Sequence, residues 1–245
     1  MSKTIIIDEN TFNIEFNKIH PDWLKFFNQF RISEFMISFK KYVIKYYNEN
    51  KNVKPSIRDL FNPFKYCSPY EIKVIILNQT AETSSKGLAF SSEINSNSDN
   101  KAIISLENEL SKEYGKNIKI SDTTFEKLAS QGVFMPIIHL FHSVKVVPTC
   151  VDIFWNYVLT FIKDLGNNIW FAWGNDNETF INKILEVKED NLNKKKPDEK
   201  IIVNTNVKIR DNIPTGRSFK GLGCFMLCNH YLKEYYRTPI NWNKL

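Results

Sequence analysis

The sequence predicts a single α/β domain of three layers, in which helices flank a four-stranded, mostly parallel sheet. Short runs of β-branched and aromatic residues, such as residues 72–77 and 169–173, are typical of strands that are covered on both faces. Segments with apolar residues at helical spacing separate these runs, and this alternation favours parallel pairing. Because 42% of the 245 residues are hydrophobic, the chain can bury one large core, and we expect one domain over residues 1–245.

The predicted elements follow one another with short connections. Residues 1–20 are expected to be an N-terminal extension, and residues 22–48 to form two helices, because large apolar side chains such as Trp23, Phe27 and Phe39 recur at helical spacing. Strands are predicted at residues 72–77, 169–173 and 201–203, and the apolar run 133–140 is expected to be a strand with its loop. Further helices are predicted at 105–114, 121–132, 152–165, 177–187 and 222–236. The charged run 188–200 is expected to be a surface loop, in which Lys194 to Lys196 are either solvated or in contact with phosphate.

Composition narrows the class of protein. The formal net charge of +6 and the pI near 9.0 are compatible with binding to a polyanion and equally with a lysine-rich surface, and they argue against an acidic mimic of DNA. Neither a secretory leader nor a run of about 20 apolar residues is present. We therefore expect an intracellular protein, cytoplasmic or nuclear, that is neither secreted nor bound to a membrane.

The cysteines and histidines give little indication of a metal. Four scattered cysteines do not make a disulfide framework. Cys224, Cys228 and His230 have spacing that a metal site could use, but their segment is apolar, and cysteine in such segments usually packs as a small hydrophobic residue. His139 and His142 are open to the same two interpretations. We expect no metal and no cofactor.

Residues 73–91, KVIILNQTAETSSKGLAFS, resemble the water-activating segment of family 1 uracil-DNA glycosylases, in which a strand runs into Gly-Gln-Asp-Pro-Tyr-His and later Gly-Leu-Ala-Phe-Ser. Further matches come in the family's order: HPDW at 20–23, PSIRDLFNPF at 55–64, SLENEL at 105–110, LASQGVFM at 128–135, Trp155, WFAWGN at 170–175, GLGC at 221–224 and PINWNKL at 239–245. The resemblance covers most of the chain. It implies the family's parallel sheet and a positively charged groove that holds DNA while uracil is flipped into a pocket.

The same resemblance implies that the catalytic groups have been replaced. The family's carboxylate, which orients water, falls on Thr80, and the histidine of its late loop falls near Asp211. Threonine carries no negative charge, and an aspartate would repel the anion that develops on uracil. No catalytic residue of the family pattern is therefore retained.

The positions that would form the base pocket are also altered. The family's base-reading asparagine falls on Ile137, and the tyrosine that excludes thymine falls on Glu82. Gln79 and Phe90 are retained, and Phe90 has either a packing role or the family's stacking role. Candidate DNA contacts are Ser91, Thr149, Thr215, Arg217 and Lys220, of which Thr215 stands where the family has its wedge leucine.

These substitutions predict a non-catalytic homologue that serves as a DNA-binding or protein-interaction subunit of a replication, repair or transcription assembly. Viral family members that act as polymerase processivity subunits show such reuse. The alternative is a DNA glycosylase with altered catalytic residues, in which Glu82 or Asp211 becomes the base and uracil or another damaged base is the substrate. A third hypothesis is a protein adaptor without nucleic-acid affinity, and steep salt dependence of binding would separate it from the first.

Overall fold

The computed structural model describes residues 6–31, 33–93, 101–144, 146–186, 201–203, 206–211 and 223–244, with the backbone alone for 201–203, 206–211 and 244. The helices are α1 (Glu9–Phe16), α2 (Pro21–Asn28), α3 (Glu34–Glu49), α4 (Lys101–Tyr114), α5 (Glu126–Ala129), α6 (Thr149–Leu165), α7 (Asn175–Leu185) and α8 (Cys224–Glu234). The strands are β1 (Val74–Ile76), β2 (Val133–Phe134), β3 (Ile169–Trp173), β4 (Ile201–Val203) and β5 (Asn206–Asp211). Short 3-10 helices lie at Asn62–Phe64, Pro69–Glu71 and Trp242–Lys244.

The strands form one sheet in the order β2-β1-β3-β5-β4. The pairs β1 with β2, β1 with β3 and β3 with β5 are parallel, and β4 pairs antiparallel with β5. The predicted α/β class, with a mostly parallel sheet flanked by helices, is confirmed, although the sheet has five strands and not the four that were predicted. The prediction of a strand at residues 201–203 is confirmed, and this strand is the antiparallel arm of a hairpin with β5, a fifth strand that was not predicted.

Two hydrophobic cores cover the two faces of the sheet and account for the apolar strands. On one face, Ile75, Phe134 and Trp170 pack with buried residues of α1, α2, α3, α6 and α7. On the other face, alternate strand residues such as Ile76 and Phe171 pack with α4, α5, α8 and the C-terminal Trp242. Successive strand residues point to opposite faces, so parallel strands in the middle layer must be apolar throughout.

The segment predicted as an N-terminal extension contains α1. Asp8 caps this helix, because its Oδ1 accepts a hydrogen bond of 2.7 Å from the backbone N–H of Thr11. Phe12 and Phe16 are buried and make edge contacts with Phe61, with ring centroids 5.3 and 5.1 Å apart. Aromatic pairs of this geometry stabilise a core beyond their buried area.

The helix predicted over residues 121–132 is reduced to α5. Phe125, which precedes it, has φ of 62°, and a helix cannot continue through this left-handed conformation. Among the described residues, no helix combines the length and the apolar character needed to cross a membrane.

Candidate functional site

The candidate site lies where the loops leave the carboxyl ends of β1, β2 and β3, the edge at which parallel α/β sheets bind ligands. Beyond the strands, the first two loops remain paired through a parallel bridge between Asn78 and Ile137. The N–H of Ile138 donates to the Asn78 carbonyl at 2.9 Å, and that of His139 donates to the Gln79 carbonyl at 2.7 Å. The main chain thus holds Gln79, Ile137 and His139 close together.

The side chain of Gln79 is held by Asn177, a residue that no sequence motif indicated. Its Nε2 donates to Oδ1 of Asn177 at 2.7 Å, and Asn177 Nδ2 donates to the carbonyls of Leu77 and Trp173 at 3.2 and 2.9 Å. Asn177 is buried in the first turns of α7. It therefore ties the ends of β1 and β3 to the loop that carries Gln79.

Phe90 occupies a strained backbone conformation beside this network. Its φ is 65°, which is unusual for a bulky residue and costs on the order of 1–3 kcal/mol. The ring is half-buried, with its centroid 6.0 Å from that of Trp173. Such strain persists only where surrounding structure imposes it, and it tends to gather at functional sites.

The turn that imposes this conformation is rigid. At Gly87, φ is 86° and a Cβ would lie 1.8 Å from the Asp59 carbonyl oxygen, so only glycine fits. The Ser91 hydroxyl accepts hydrogen bonds from the N–H groups of Lys86 and Leu88 at 3.1 and 3.2 Å and donates to the Leu88 carbonyl at 2.6 Å. Ser91 is completely buried, so the structure places this candidate DNA contact inside the turn and not at the surface.

The loop after β1 carries the two substituted positions predicted there. Thr80 is exposed, and its carbonyl accepts a hydrogen bond of 3.0 Å from Asn78 Nδ2. Glu82 is half-buried, and its carbonyl accepts from the N–H of Ser85 at 3.1 Å. His142 Nδ1 lies 3.0 Å from the Ala81 carbonyl, which gives this histidine the loop-holding role that was one of its two interpretations.

His139 differs from His142 because its Nδ1 makes no hydrogen bond. Its Nδ1 is sealed from solvent and has no hydrogen-bond partner. Burial lowers the pKa of His139 below its usual value, and the nearby carboxylates of Asp152 and Asp176 oppose this effect only in part. A buried polar atom without a partner costs about 1–3 kcal/mol, so the arrangement needs a reason.

Thr149 is exposed in the first turn of α6, whose N-cap is Pro148 and has no side-chain cap. The free N–H groups and the dipole of such a helix end favour phosphate. Asp211 is the last residue of β5, and its backbone pairs in register with Trp173. The run 188–200 and three candidate DNA contacts, Thr215, Arg217 and Lys220, lie outside the described residues.

The possible metal ligands are explained by other contacts. Cys228 is fully buried and His230 is exposed beside Glu234, its Nε2 3.2 Å from a carboxylate oxygen. The ligand atoms of Glu109, Glu113 and Cys224 lie within 4.8 Å of one another.

The two glutamates of that group cap α8. The carboxylate of Glu113 accepts from the N–H groups of Phe225 and Met226 at 3.2 and 2.8 Å, and Glu109 accepts from Gly223 at 3.4 Å. Burial, and then the neighbouring Glu109, raise the pKa of Glu113 to about 7.

Proteins of similar sequence span almost the whole chain. A protein named uracil-DNA glycosylase from Campylobacter jejuni subsp. doylei is 28% identical over 249 residues, which covers 96% of this chain and 98% of its own length. A second, from C. jejuni subsp. jejuni, is 28% identical over 251 residues, with 96% and 99% covered. The chain is thus similar to proteins named uracil-DNA glycosylase over nearly its whole length. No protein-family model matches the sequence.

Solved structures show that the chain shares the fold of the mimivirus proteins. Mimivirus uracil-DNA glycosylase superposes with a TM-score of 0.70 at 16% identity and covers 98% of both chains. A variant of mimivirus UNG, solved in complex with UGI, gives a TM-score of 0.72 at 17% identity, with 98% of this chain and 99% of the other covered. The recognition made from the residue motifs is confirmed, whereas the loss of activity inferred from Thr80, Ile137 and Asp211 stays a prediction.

Proposed function

We propose that this protein is a DNA glycosylase that receives a nucleobase at the carboxyl edge of the sheet and cleaves its N-glycosidic bond with a substituted set of groups. The observation that carries the proposal is the strained Phe90, whose ring centroid lies 6.0 Å from that of Trp173. The carbonyl of Trp173 accepts a hydrogen bond from Asn177, which also bonds to Gln79. Phe125 has a similar φ but is buried in the core, whereas the ring of Phe90 is only half-buried, as a ring presented to a base would be. Relatives named uracil-DNA glycosylase along nearly the full length support the same conclusion.

Glu82 is the residue proposed to take up the proton of water. In the reaction, a water oxygen bonds to C1′, the bond from C1′ to the base nitrogen breaks, and the electron pair leaves with the base. A carboxylate that receives the water proton lowers this barrier, typically by a factor of about 10²–10⁴. Glu82 is half-buried in the loop that also carries Gln79, and Asp211, at the end of β5, is the second carboxylate in this proposal.

DNA binding is proposed to rest on phosphate contacts. The net charge of +6 and the uncapped end of α6 at Thr149 support this. Affinity for single-stranded DNA is then expected to fall steeply as salt is raised.

The test is base release from oligonucleotides that carry uracil or another modified base, measured alongside binding. Wild type should release a base, and the double variant Glu82→Gln, Asp211→Asn should release it at least about a hundredfold more slowly. Glu186→Gln is the matched control, because this exposed glutamate follows α7 at the opposite edge of the sheet. Equal rates for the double variant and wild type would refute the assignment of the two carboxylates.

A second candidate is a non-catalytic DNA-binding subunit of a replication, repair or transcription assembly. The specific observation in its favour is the buried hydrocarbon of Ile137, together with the uncharged Thr80. Salt-dependent binding without release of any base would favour this function. Binding to a protein partner without affinity for DNA would favour an adaptor instead.

A further inference from the structure

The two ring nitrogens of His139 have different environments. Nδ1 is sealed from solvent and unpaired, and it is the only nitrogen of this ring with that property. The side chain as a whole is half-buried, and the hydrogen bond between His139 and Gln79 is made by the main-chain N–H of His139 and not by its ring. Nε2 is therefore the nitrogen that a ligand can reach.

The protonation state of the ring follows from the same geometry. The charged groups that face it are Asp152, in the first turn of α6, and Asp176, in the first turn of α7. Burial outweighs their attraction, so the ring is neutral at neutral pH. A proton on Nδ1 would be a buried donor without an acceptor, which is costly, whereas Nδ1 without a proton leaves only a lone pair unused. The favoured tautomer carries its proton on Nε2.

The position of the ring connects it to the base site. Ile137 pairs with Asn78, and His139 follows two residues later with its N–H on the Gln79 carbonyl. The N–H of Leu140 donates to the Ile137 carbonyl at 3.1 Å and closes a turn that contains His139. The ring faces Asp176, which adjoins Asn177, the partner of the Gln79 side chain. His139 therefore lies next to Gln79, two residues beyond the position at which the family pattern has its base-reading asparagine.

We infer that His139 replaces that lost contact, and that its Nε2–H donates a hydrogen bond to an exocyclic carbonyl oxygen of the bound base. This rests on the proposed function, since it requires a base to enter the site. A neutral imidazole with the proton on Nε2 offers a donor and no acceptor at that atom. The site is thus selective for a base with a carbonyl at this edge, such as uracil, over one with an amino group there, such as cytosine.

Selectivity is measured by fluorescence anisotropy on two single-stranded oligonucleotides that differ at one nucleotide, 2′-fluoro-2′-deoxyuridine or 2′-fluoro-2′-deoxycytidine. The fluorine prevents cleavage by disfavouring positive charge at C1′. Wild type should prefer the uracil oligonucleotide by about tenfold, and His139→Phe, which keeps a ring without a donor, should lose the preference. His139→Gln, which restores a donor, should recover part of it, and the exposed His230→Gln should match wild type.

Long-range proton–nitrogen NMR of wild type provides a readout that does not depend on folding of the variants. The inference expects Nε2 protonated and Nδ1 bare in His139, with the signals assigned by their loss in His139→Gln. The opposite tautomer would overturn it, as would a preference for uracil that His139→Phe retains. If wild type prefers one base and substitution of His139 leaves that preference unchanged, this inference alone is refuted. If wild type binds neither oligonucleotide, the proposed function is refuted as well.

Discussion

Replacement of Asn177 by alanine should destabilise the protein by about 3 kcal/mol. The change removes three hydrogen bonds, one accepted from Gln79 and two donated to the carbonyls of Leu77 and Trp173. Each such bond contributes about 1 kcal/mol, and a carbonyl left without its donor in a buried place adds a desolvation cost. For a chain of this size, the midpoint of thermal unfolding should fall by about 6–12 °C.

Chemical denaturation followed by tryptophan fluorescence measures this loss. Asn156→Ala is the control, because Asn156 is exposed in the middle of α6 and its replacement should change stability by less than about 0.7 kcal/mol. A double-mutant cycle with Gln79→Ala should give a coupling of about 1 kcal/mol between the two amides. If Asn177→Ala behaved like the control, the network would not hold the site together and the reasoning would fail.

Three further changes test other parts of the structure. Gly87→Ala should destabilise by more than about 3 kcal/mol in denaturant unfolding, because its Cβ would overlap the Asp59 carbonyl, whereas Gly115→Ala, also at positive φ but with open space around it, should cost about 1 kcal/mol. Between about pH 5 and pH 7, the native state keeps a proton on Glu113 that the unfolded state has lost, because the pKa of Glu113 is raised to about 7 in the folded protein. The stability of the protein therefore falls as pH rises through this range. Glu113→Gln removes the titrating group and should make this decline less steep. Unfolding midpoints across that range check it, and a parallel decline in both proteins would count against it. Phe90→Leu should weaken binding to uracil-containing single strands by about tenfold with little change in salt dependence, since stacking contributes about 1–3 kcal/mol per base; an unchanged affinity would assign Phe90 to packing.

The sequence predicted the middle of the sheet well because its strands are buried on both sides. The prediction of residues 169–173 matches β3, whose five residues are all buried. Strands whose residues are not all apolar were predicted less well. The apolar run 201–203 was predicted as a strand and forms β4, but β5 was not predicted, because polar residues interrupt the apolar pattern of Asn206–Asp211. It is β5, and not β4, that lies parallel to β3.

The sequence predicted only those residues of the candidate site that lie within recognisable motifs. Gln79 and Phe90 stand within one segment that resembles a known family, so the sequence alone could select them. Asn177 bonds to a residue 98 positions away, and only the folded chain brings the two together. His139 showed no motif, and its interest comes from a sealed nitrogen, which is a property of packing.

The bridge between Asn78 and Ile137 has a consequence for how this site can change over evolutionary time. The two loops are joined by main-chain hydrogen bonds, which any residue other than proline can make with its N–H. The side chain at position 137 can therefore be exchanged without separating the loops. A scaffold joined in this way can lose one base contact and recruit another nearby while the architecture is inherited unchanged, and substrate preference can drift faster than fold.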